Sequence, residues 1–273
     1  MEQDTNPQNQ KELVKLGKLL MPREKMGPIK VTCIDCGQQF EARNLGRWTR
    51  QHCEPCAETA RKEDEADQQA YELKVATIQQ QNKIFQAKIP EFWRDTTFES
   101  SDASINRVAF NKCRRYAEIF DPRKSPSLYL FSLKYGTGKT HLAACIANYV
   151  LHEKGYSVRY QKARDLLLDI RRTYSDSGDL DEAELLDRVL SFDLLVLDDV
   201  GIDQPSQWLV STYWTVFDRR MEMGLPIVVT ANYNLFETAK LETIGDRIGF
   251  GAESRLRKMC GENVIEFKGK DLR

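Results

Sequence analysis

The chain has 273 residues, which suits about two domains at roughly 150 residues each. Its 41% hydrophobic and 30% charged residues exclude a collagen-like repeat and a wholly disordered chain. Because 40 Lys and Arg residues balance 41 Asp and Glu residues to a net charge of −1, any contact with nucleic acid must come from a local basic patch.

The sequence carries no pattern for export or membrane insertion. Its first residues, MEQDTN, are polar and acidic and lack the cationic and apolar regions of a signal peptide. The apolar runs are far shorter than the roughly 18 residues of a membrane-spanning helix. We therefore expect a cytoplasmic protein without a membrane partner, in which grouped cysteines indicate metal binding rather than disulfides.

Four of the seven cysteines form two C-x-x-C pairs. Cys33 and Cys36 are separated by sixteen residues from Cys53 and Cys56. Each pair can place two thiolates on one side of a turn, and two pairs can hold a tetrahedral Zn²⁺ that has no open coordination position. The pattern predicts a structural zinc ribbon within residues 1–60.

Alternatives remain for the neighbours of this cluster. His52 adjoins Cys53 and is a less favoured alternative zinc ligand. Trp48 is either an exposed side chain or the small core of the ribbon. Residues that keep open a contact with nucleic acid are Lys30, Arg43, Arg47, Arg50 and Trp48. The cysteines outside the cluster are expected to be buried apolar side chains, namely Cys113, Cys145 and Cys260.

A long helix is predicted over 57–88, because this stretch contains neither Gly nor Pro and is rich in Glu, Lys and Gln. Asn82 interrupts its narrow apolar stripe where a coiled-coil seam would lie, so self-association and docking onto the next domain both remain open. Residues 61–90 are interpreted as a helical linker. The apolar stripe consists of Tyr71, Val75, Ile78, Phe85 and Ile89.

Residues 91–273 alternate short apolar strands with helices, which is typical of a parallel α/β sheet. Two helical segments, 163–174 and 181–190, lie between the second and third strands, although a simple crossover needs only one. The five predicted strands lie at 128–131, 158–160, 194–197, 227–230 and 264–267.

The first of these strands leads into a glycine-rich loop and an alanine-rich helix. Triphosphate binding needs this layout, because successive backbone N–H groups and the positive end of a helix must face the phosphate oxygens. Lys139 can place its charge between the β- and γ-phosphates, and the Thr140 hydroxyl can ligate Mg²⁺. The full motif has a glycine where this chain has Leu133, at the entry to the loop. The residues predicted to bind ATP here are Gly136, Thr137, Gly138, Lys139, Thr140 and His141.

The third strand carries two acids at its carboxyl end. Asp198 can hold magnesium through the water shell of the ion. Asp199 is placed to orient or deprotonate the attacking water. Two acids after a strand are usually a solvated turn, but beside a phosphate loop they indicate a nucleotide site.

Three motifs in this order resemble the AAA+ helicase loaders of the DnaC/DnaI type, whose relatives include the IstB transposition ATPases. They are GTGKTHLA at 136–143, DLLVLDDVG at 193–201 and PIVVTAN at 226–232. Three motifs in the right order are far more specific than any one of them. The resemblance covers roughly residues 92–273 and implies an AAA+ P-loop ATPase that converts ATP to ADP and phosphate.

The resemblance also implies roles for four further residues. Asn232 becomes the sensor that polarises the γ-phosphate and the attacking water. Arg255, in a Ser-Arg-Leu segment, and Arg247 are alternative candidates for an arginine that enters the site of a neighbouring subunit, so that hydrolysis depends on a homo-oligomer. Arg273 matches a second sensor that contacts the γ-phosphate.

The two helices between the second and third strands resemble the extra helix with which AAA+ initiators and loaders wedge their subunits into a spiral around DNA. Arg171 and Arg172 are then candidate contacts to single-stranded DNA, with a solvated helix face as the alternative. In the resembled loaders the N-terminal region grips the replicative helicase, which implies a partner-binding role for residues 1–60.

The interpretation that the sequence favours is an ATP-dependent helicase loader of DNA replication, with ATP, magnesium and zinc as cofactors. It would load a ring-shaped replicative helicase onto single-stranded DNA. One alternative is an IstB-like transposition accessory ATPase, which would bind target DNA and a transposase. Another is a zinc-ribbon DNA-binding adaptor that uses ATP only as a structural ligand.

Overall fold

The computed structural model describes residues 27–173, 181–236 and 242–268. By its internal contacts the chain divides into two compact units, Met1–Val75 and Ala76–Arg273. The boundary between these units lies inside one long helix. The division into 1–60, 61–90 and 91–273 stays a prediction.

The first unit contains an antiparallel hairpin, in which β1 (Pro28–Thr32) pairs with β2 (Gln39–Arg43). Helix α1 (Glu54–Ala87) begins in this unit and continues past its boundary, and it starts slightly earlier than the predicted residue 57. Within 27–75 the buried apolar side chains are Cys33, Ala42 and Cys53. So small a core indicates that the unit needs a further source of stability, such as a metal.

The apolar stripe of α1 is mostly solvent-exposed. Tyr71, Ile78 and Phe85 are all exposed, and Phe85 is the most exposed of the three at 84%. Ile89, just beyond the helix, is buried in a hydrophobic core of the second unit. Along the described part of the chain, no helix combines the length and the apolar composition needed to cross a bilayer.

The second unit is built on a five-stranded sheet in which each neighbouring pair is parallel. Strands 128–131 and 227–231 are buried on both faces, as expected for a sheet that is covered by helices on both sides. The predicted five-stranded parallel sheet is therefore confirmed. The strands are β3 (Leu128–Phe131), β4 (Val158–Lys162), β5 (Leu194–Val200), β6 (Ile227–Ala231) and β7 (Val264–Glu266), in the spatial order β4-β5-β6-β3-β7.

Two hydrophobic cores lie on the two faces of this sheet. Helices α2 and α3 contribute to one core, and α4 to α8 contribute to the other. Successive strand residues alternate between the cores, as the pleat requires: Leu128 and Leu130 face one, and Tyr129 and Phe131 the other. The helices are α2 (Arg107–Glu118), α3 (Lys139–His152), α4 (Ala163–Thr173), α5 (Glu182–Leu190), α6 (Gln207–Met223), α7 (Ile244–Ile248) and α8 (Phe250–Cys260).

Helices α4 and α5 are the two segments predicted between the second and third strands, and their presence is confirmed. The cysteines outside the cluster are buried as expected, and burial raises the pKa of each thiol. These cysteines are Cys113, Cys145 and Cys260.

The strand order brings three functional segments to one edge of the sheet. Strand β6 lies between β3 and β5. Since the carboxyl ends of parallel strands meet on the same side, the loop after β3, the acids of β5 and the residue after β6 converge there.

Candidate functional site

A cavity of about 770 Å³ lies at the carboxyl ends of the central strands. It is lined by the glycine-rich loop, the acids of β5 and the polar residue after β6. The residues predicted from the sequence that it brings together are Gly136, Thr137, Gly138, Lys139, Thr140, His141, Asp198, Asp199 and Asn232.

Two glycines give the loop its curvature. Gly136 has a φ of 67° and Gly138 a φ of 90°, in the left-handed region that other residues adopt only with strain. Gly138 is also the N-cap of α3, so the positive end of this helix points at the loop. The buried Thr137 hydroxyl has no hydrogen-bond partner among the described residues. These features suit an anion held by backbone N–H groups.

The side chain of Lys139 folds back over the glycine-rich loop. Lys139 is buried, and its Nζ donates to the carbonyl of Lys134 at 3.4 Å. This is a long hydrogen bond, and a phosphate oxygen would offer the ammonium a shorter, charge-assisted one.

Asp198 is fixed by two threonines. Its side chain is only 1% exposed, and Oδ1 accepts from Thr140 Oγ1 at 3.0 Å and from Thr230 Oγ1 at 2.6 Å. Oδ2 is buried without a hydrogen-bond partner among the described residues. Carboxylate and hydroxyl oxygens are ligands that Mg²⁺ prefers, so Thr140 and Asp198 fit a magnesium ion bound beside a phosphate. Burial, followed by the charge of Asp198, raises the pKa of the nearby Tyr160 hydroxyl.

Asp199 has an unusual backbone conformation. Its φ of 59° lies in the left-handed region, and the β5–β6 register shifts between Leu197 and Val200. The N–H of Asp199 donates to Thr230 Oγ1 at 2.9 Å, so one threonine contacts both acids. Strained residues of this kind concentrate at functional sites.

Asn232 follows β6 directly and lines the same cavity. Its Oδ1 is buried without a hydrogen-bond partner among the described residues. Since β6 lies between β3 and β5, Asn232 stands between the phosphate loop and the acid pair.

An aromatic wall that the sequence analysis missed closes another side of the cavity. Phe92 and Trp93 belong to it, and the His141 ring packs edge-on against Trp93 with centroids 5.7 Å apart. His141 Nε2 lies 2.6 Å from Ser101 Oγ, and burial lowers the pKa of His141. The aromatic pair just after Pro90, outside any strand or helix pattern, is the signal that could have indicated it.

The candidate arginines lie elsewhere. None of the described residues that line the cavity is an arginine. Arg247 is buried and donates to backbone carbonyls of its own subunit. Arg255 is partly exposed, pairs with Asp218 and stacks 4.4 Å from the centroid of the Trp214 ring. Arg273 lies outside the described residues.

The arginines of α4 are on the surface. The Arg171 guanidinium stacks 4.6 Å from the centroid of the Trp208 ring, and the two residues line a second cavity of about 300 Å³. Arg172 forms an ion pair with Asp169 at 3.3 Å. This face therefore combines cationic and aromatic side chains.

The four cysteines of the C-x-x-C pairs come together in the first unit. Their Sγ atoms all lie within 4.8 Å of one another, and those of Cys36 and Cys53 are 3.6 Å apart. Four thiolates at about 2.3 Å from a tetrahedral Zn²⁺ stand about 3.8 Å apart, so the cluster fits zinc. Backbone N–H donors, chiefly that of Cys53, lower the pKa of Cys33 to about 6 and favour its thiolate.

The structure decides between the alternatives for two residues near the cluster, His52 and Trp48. His52 is not among the clustered ligands, and its Nδ1 lies 2.6 Å from Asp35 Oδ2. Trp48 is 74% exposed, and the Arg47 Cζ atom lies 5.2 Å from the centroid of its ring. The alternative prediction that Trp48 forms the core of the ribbon is therefore wrong.

Comparison with known sequences gives one family match and several similar proteins. Residues 129–248 match the family of IstB-like ATP binding proteins. The replicative helicase loader DnaC of Escherichia coli K12 is 35% identical over 145 residues, which are 52% of this chain and 58% of that protein. DnaC of Buchnera aphidicola subsp. Schizaphis graminum is 30% identical over 146 residues, with the same coverage. The chain thus spans little more than half the length of these relatives.

Solved structures share the fold at low sequence identity. The DnaC helicase loader has a TM-score of 0.56 at 21% identity, over 66% of this chain and 100% of that one. DnaI has a TM-score of 0.52 at 20% identity, over 68% and 95%. Domain III of the Thermotoga maritima replication initiation protein DnaA has a TM-score of 0.51 at 22% identity, over 64% and 67%. The predicted AAA+ fold is confirmed.

Proposed function

We propose that this chain is an ATP-dependent helicase loader of DNA replication, because residues 129–248 match the IstB-like ATP binding proteins and the chain is 35% identical to the helicase loader DnaC over 145 residues. It binds ATP with magnesium, hydrolyses it to ADP and phosphate, and loads a ring-shaped replicative helicase onto single-stranded DNA. The observation that carries the proposal is the convergence of the loop, both acids and Asn232 on one cavity. We place its action in the cytoplasm, where a reducing environment keeps thiolates available as metal ligands.

Binding of ATP is assigned to the loop and the aromatic wall. The N–H groups of residues 136–140 and the Lys139 ammonium hold the phosphates. The base occupies the part of the cavity beside Trp93 and His141. Thr140 and Asp198 would hold magnesium, whose charge stabilises the transferring phosphoryl group.

Hydrolysis is assigned to the residues at the ends of β5 and β6. Asp199 orients the attacking water or accepts its proton. The Asn232 amide donates to the γ-phosphate, while its buried Oδ1 can accept a hydrogen bond from the water. Both groups therefore contact the attacking water, and Asn232 also contacts the phosphate that this water attacks.

The arginine that completes the site comes from a neighbouring subunit. Arg255 is the better of the two candidates, because its side chain is partly exposed, whereas Arg247 is buried and donates to three backbone carbonyls; Arg255 is held by an ion pair with Asp218, a stacking contact with Trp214 and one backbone hydrogen bond, to Gly251. An arginine entering in trans stabilises charge on the transferring phosphoryl group and can raise the rate about 10³- to 10⁵-fold. Hydrolysis therefore depends on assembly of the homo-oligomer.

The zinc unit is the docking module for the helicase. Its surface presents an exposed Trp48 beside Arg47, which together offer the amphipathic contact that protein interfaces favour. The alternative role of the zinc unit is a zinc-dependent contact with single-stranded DNA. Helicase binding by a variant with a disrupted cysteine cluster separates these two roles.

A transposition accessory ATPase is the second candidate, because the matching family is described by its IstB-like members. It shares the chemistry of the site and differs in its partners. Capture of a transposase and target DNA without any helicase interaction would favour it.

The test is an ATPase assay of the full chain with and without single-stranded DNA and a replicative helicase, accompanied by zinc quantification. We expect hydrolysis that responds to these partners, helicase unwinding that depends on the protein, and one zinc per chain. ATP binding with no hydrolysis under any of these conditions would instead support the adaptor that uses ATP as a structural ligand.

A further inference from the structure

Arg247 is held entirely within its own subunit. The side chain is on the short helix α7, and the residue is 8% exposed. Nε donates to the carbonyl of Gly201 at 2.8 Å, and Nη2 donates to those of Ile202 and Asp203 at 3.1 and 3.0 Å. Nη1 pairs with Glu242 at 3.3 Å. A guanidinium with these contacts cannot reach another subunit unless it gives up several hydrogen bonds.

The three carbonyls belong to the segment that directly follows the acid pair. Within it, Asp199 has a left-handed backbone, and Gly201 has a φ of 88°. A Cβ at Gly201 would stand 2.9 Å from Ile244 Cδ1 and 3.2 Å from Arg247 Cβ, so α7 packs tightly against this turn. A strained conformation persists only where its surroundings hold it. Thr230 Oγ1 accepts a hydrogen bond from the N–H of Asp199, and the Arg247 guanidinium donates to the carbonyls that follow.

Arg247 also contacts the loop that carries Asn232. Its guanidinium stacks 5.2 Å from the centroid of the Tyr233 ring, and Tyr233 is the next residue along the chain. The carbonyl of Tyr233 accepts from the buried Tyr129 hydroxyl at 2.8 Å, which ties this loop to the sheet. One side chain therefore contacts the segments after β5 and after β6.

We propose that Arg247 is a positioning residue that acts in cis, by fixing the direction of Asp199 relative to Asn232 at the site of its own subunit. The inference rests on the proposed ATPase function and gives Arg247 and Arg255 different roles. Arg247 acts through the backbone of residues 201–203 and touches no nucleotide.

The first test compares Arg247→Ala and Arg247→Lys with a matched control, Arg257→Ala. Arg257 also donates to a backbone carbonyl, that of Leu235 at 2.9 Å, stacks on Phe236 and forms an ion pair with Glu253, but none of these partners adjoins the acids. We expect Arg247→Ala to lower kcat about 10²-fold with little change in KM, because the reacting groups are misaligned while binding persists. Arg247→Lys should recover part of this loss. An unchanged kcat in Arg247→Ala would overturn the proposal.

The second test separates action in cis from action in trans by mixing subunits. Arg247→Ala is mixed with Asp199→Asn, which lacks the acid but has an intact Arg247. If Arg247 served a neighbouring site, mixed assemblies would regain hydrolysis. We expect no recovery, and recovery would overturn the proposal.

The third test does not depend on hydrolysis. We expect amide hydrogen exchange within residues 199–203 to be faster in Arg247→Lys than in the wild-type protein, and unchanged in Arg257→Ala. Unchanged exchange in Arg247→Lys would overturn the positioning role. A wild-type protein without ATPase activity would contradict the proposed function, while the exchange result would still report on the contact. Arg247→Lys keeps the charge, so the test survives if Arg247→Ala does not fold.

Discussion

Asp199 has a backbone conformation that most residues avoid and that Asn tolerates well. Asp199→Asn should therefore fold normally, and it removes only the negative charge and the proton acceptor. We expect kcat for ATP hydrolysis to fall at least about 10²-fold while the Kd for ATP stays close to the wild-type value. Single-turnover hydrolysis and titration with a fluorescent ATP analogue measure the two quantities. Equal rates in the two proteins would contradict the assignment.

Lys139 and Lys134 offer a matched pair in the same loop. The Lys139 ammonium lies over the loop, whereas Lys134 is exposed and contributes its carbonyl to the contact. Lys139→Ala should weaken ATP binding itself, because it removes the charge between the phosphates. Lys134→Ala should bind nearly as well as the wild type, as the same titration will show. Similar losses in both variants would indicate a general charge effect instead.

The elements of the sheet could be predicted because their signals are local. Strand β3 and the first part of β5 are apolar runs, and the glycine loop and the acid pair follow these two runs directly. The aromatic wall has only a weak local signal, the aromatic pair after Pro90, because Trp93 is fixed by a contact that is distant in sequence: Asn148 Nδ2 donates to the carbonyls of Trp93 and Thr96, both at 2.8 Å. The choice between Arg247 and Arg255 likewise depends on burial, which no motif encodes.

The hairpin and the start of α1 hold the cysteines but bury little apolar surface. Cys36→Ser or Cys56→Ser should therefore abolish stoichiometric zinc and unfold this unit, because binding of a structural zinc supplies much of the folding free energy. Zinc analysis and circular dichroism measure both effects. Cys113→Ser, outside the cluster, should retain the metal. Full zinc content in Cys36→Ser would show that another group can complete the site.

The two compact units lead us to expect separable losses of function in the whole molecule. A cluster variant such as Cys56→Ser should lose helicase binding yet keep ATP binding by the second unit, since the cavity is lined by residues of that unit alone. Co-sedimentation with the helicase and nucleotide titration measure the two activities on one sample. Loss of both would indicate that the units fold together.

Assembly should also be visible in mixtures of inactive subunits. Arg255→Ala lacks the trans arginine but keeps the acid of its own site. Asp199→Asn lacks that acid but keeps the arginine. Mixed assemblies can therefore form an intact site, and we expect hydrolysis to recover partially. No recovery, with both variants able to associate, would count against Arg255 as the trans residue.

Three buried polar atoms in the cavity, Thr137 Oγ1, Asp198 Oδ2 and Asn232 Oδ1, lack hydrogen-bond partners among the described residues. Each such atom costs about 1–3 kcal/mol, and bound nucleotide with magnesium would offer partners to all of them. Resistance to heating is then linked to the nucleotide supply: at a ligand concentration of 100 times the Kd, the free energy of unfolding rises by about 2.7 kcal/mol. The free energy of unfolding of this chain should therefore be higher when ATP is abundant and lower when ATP is depleted.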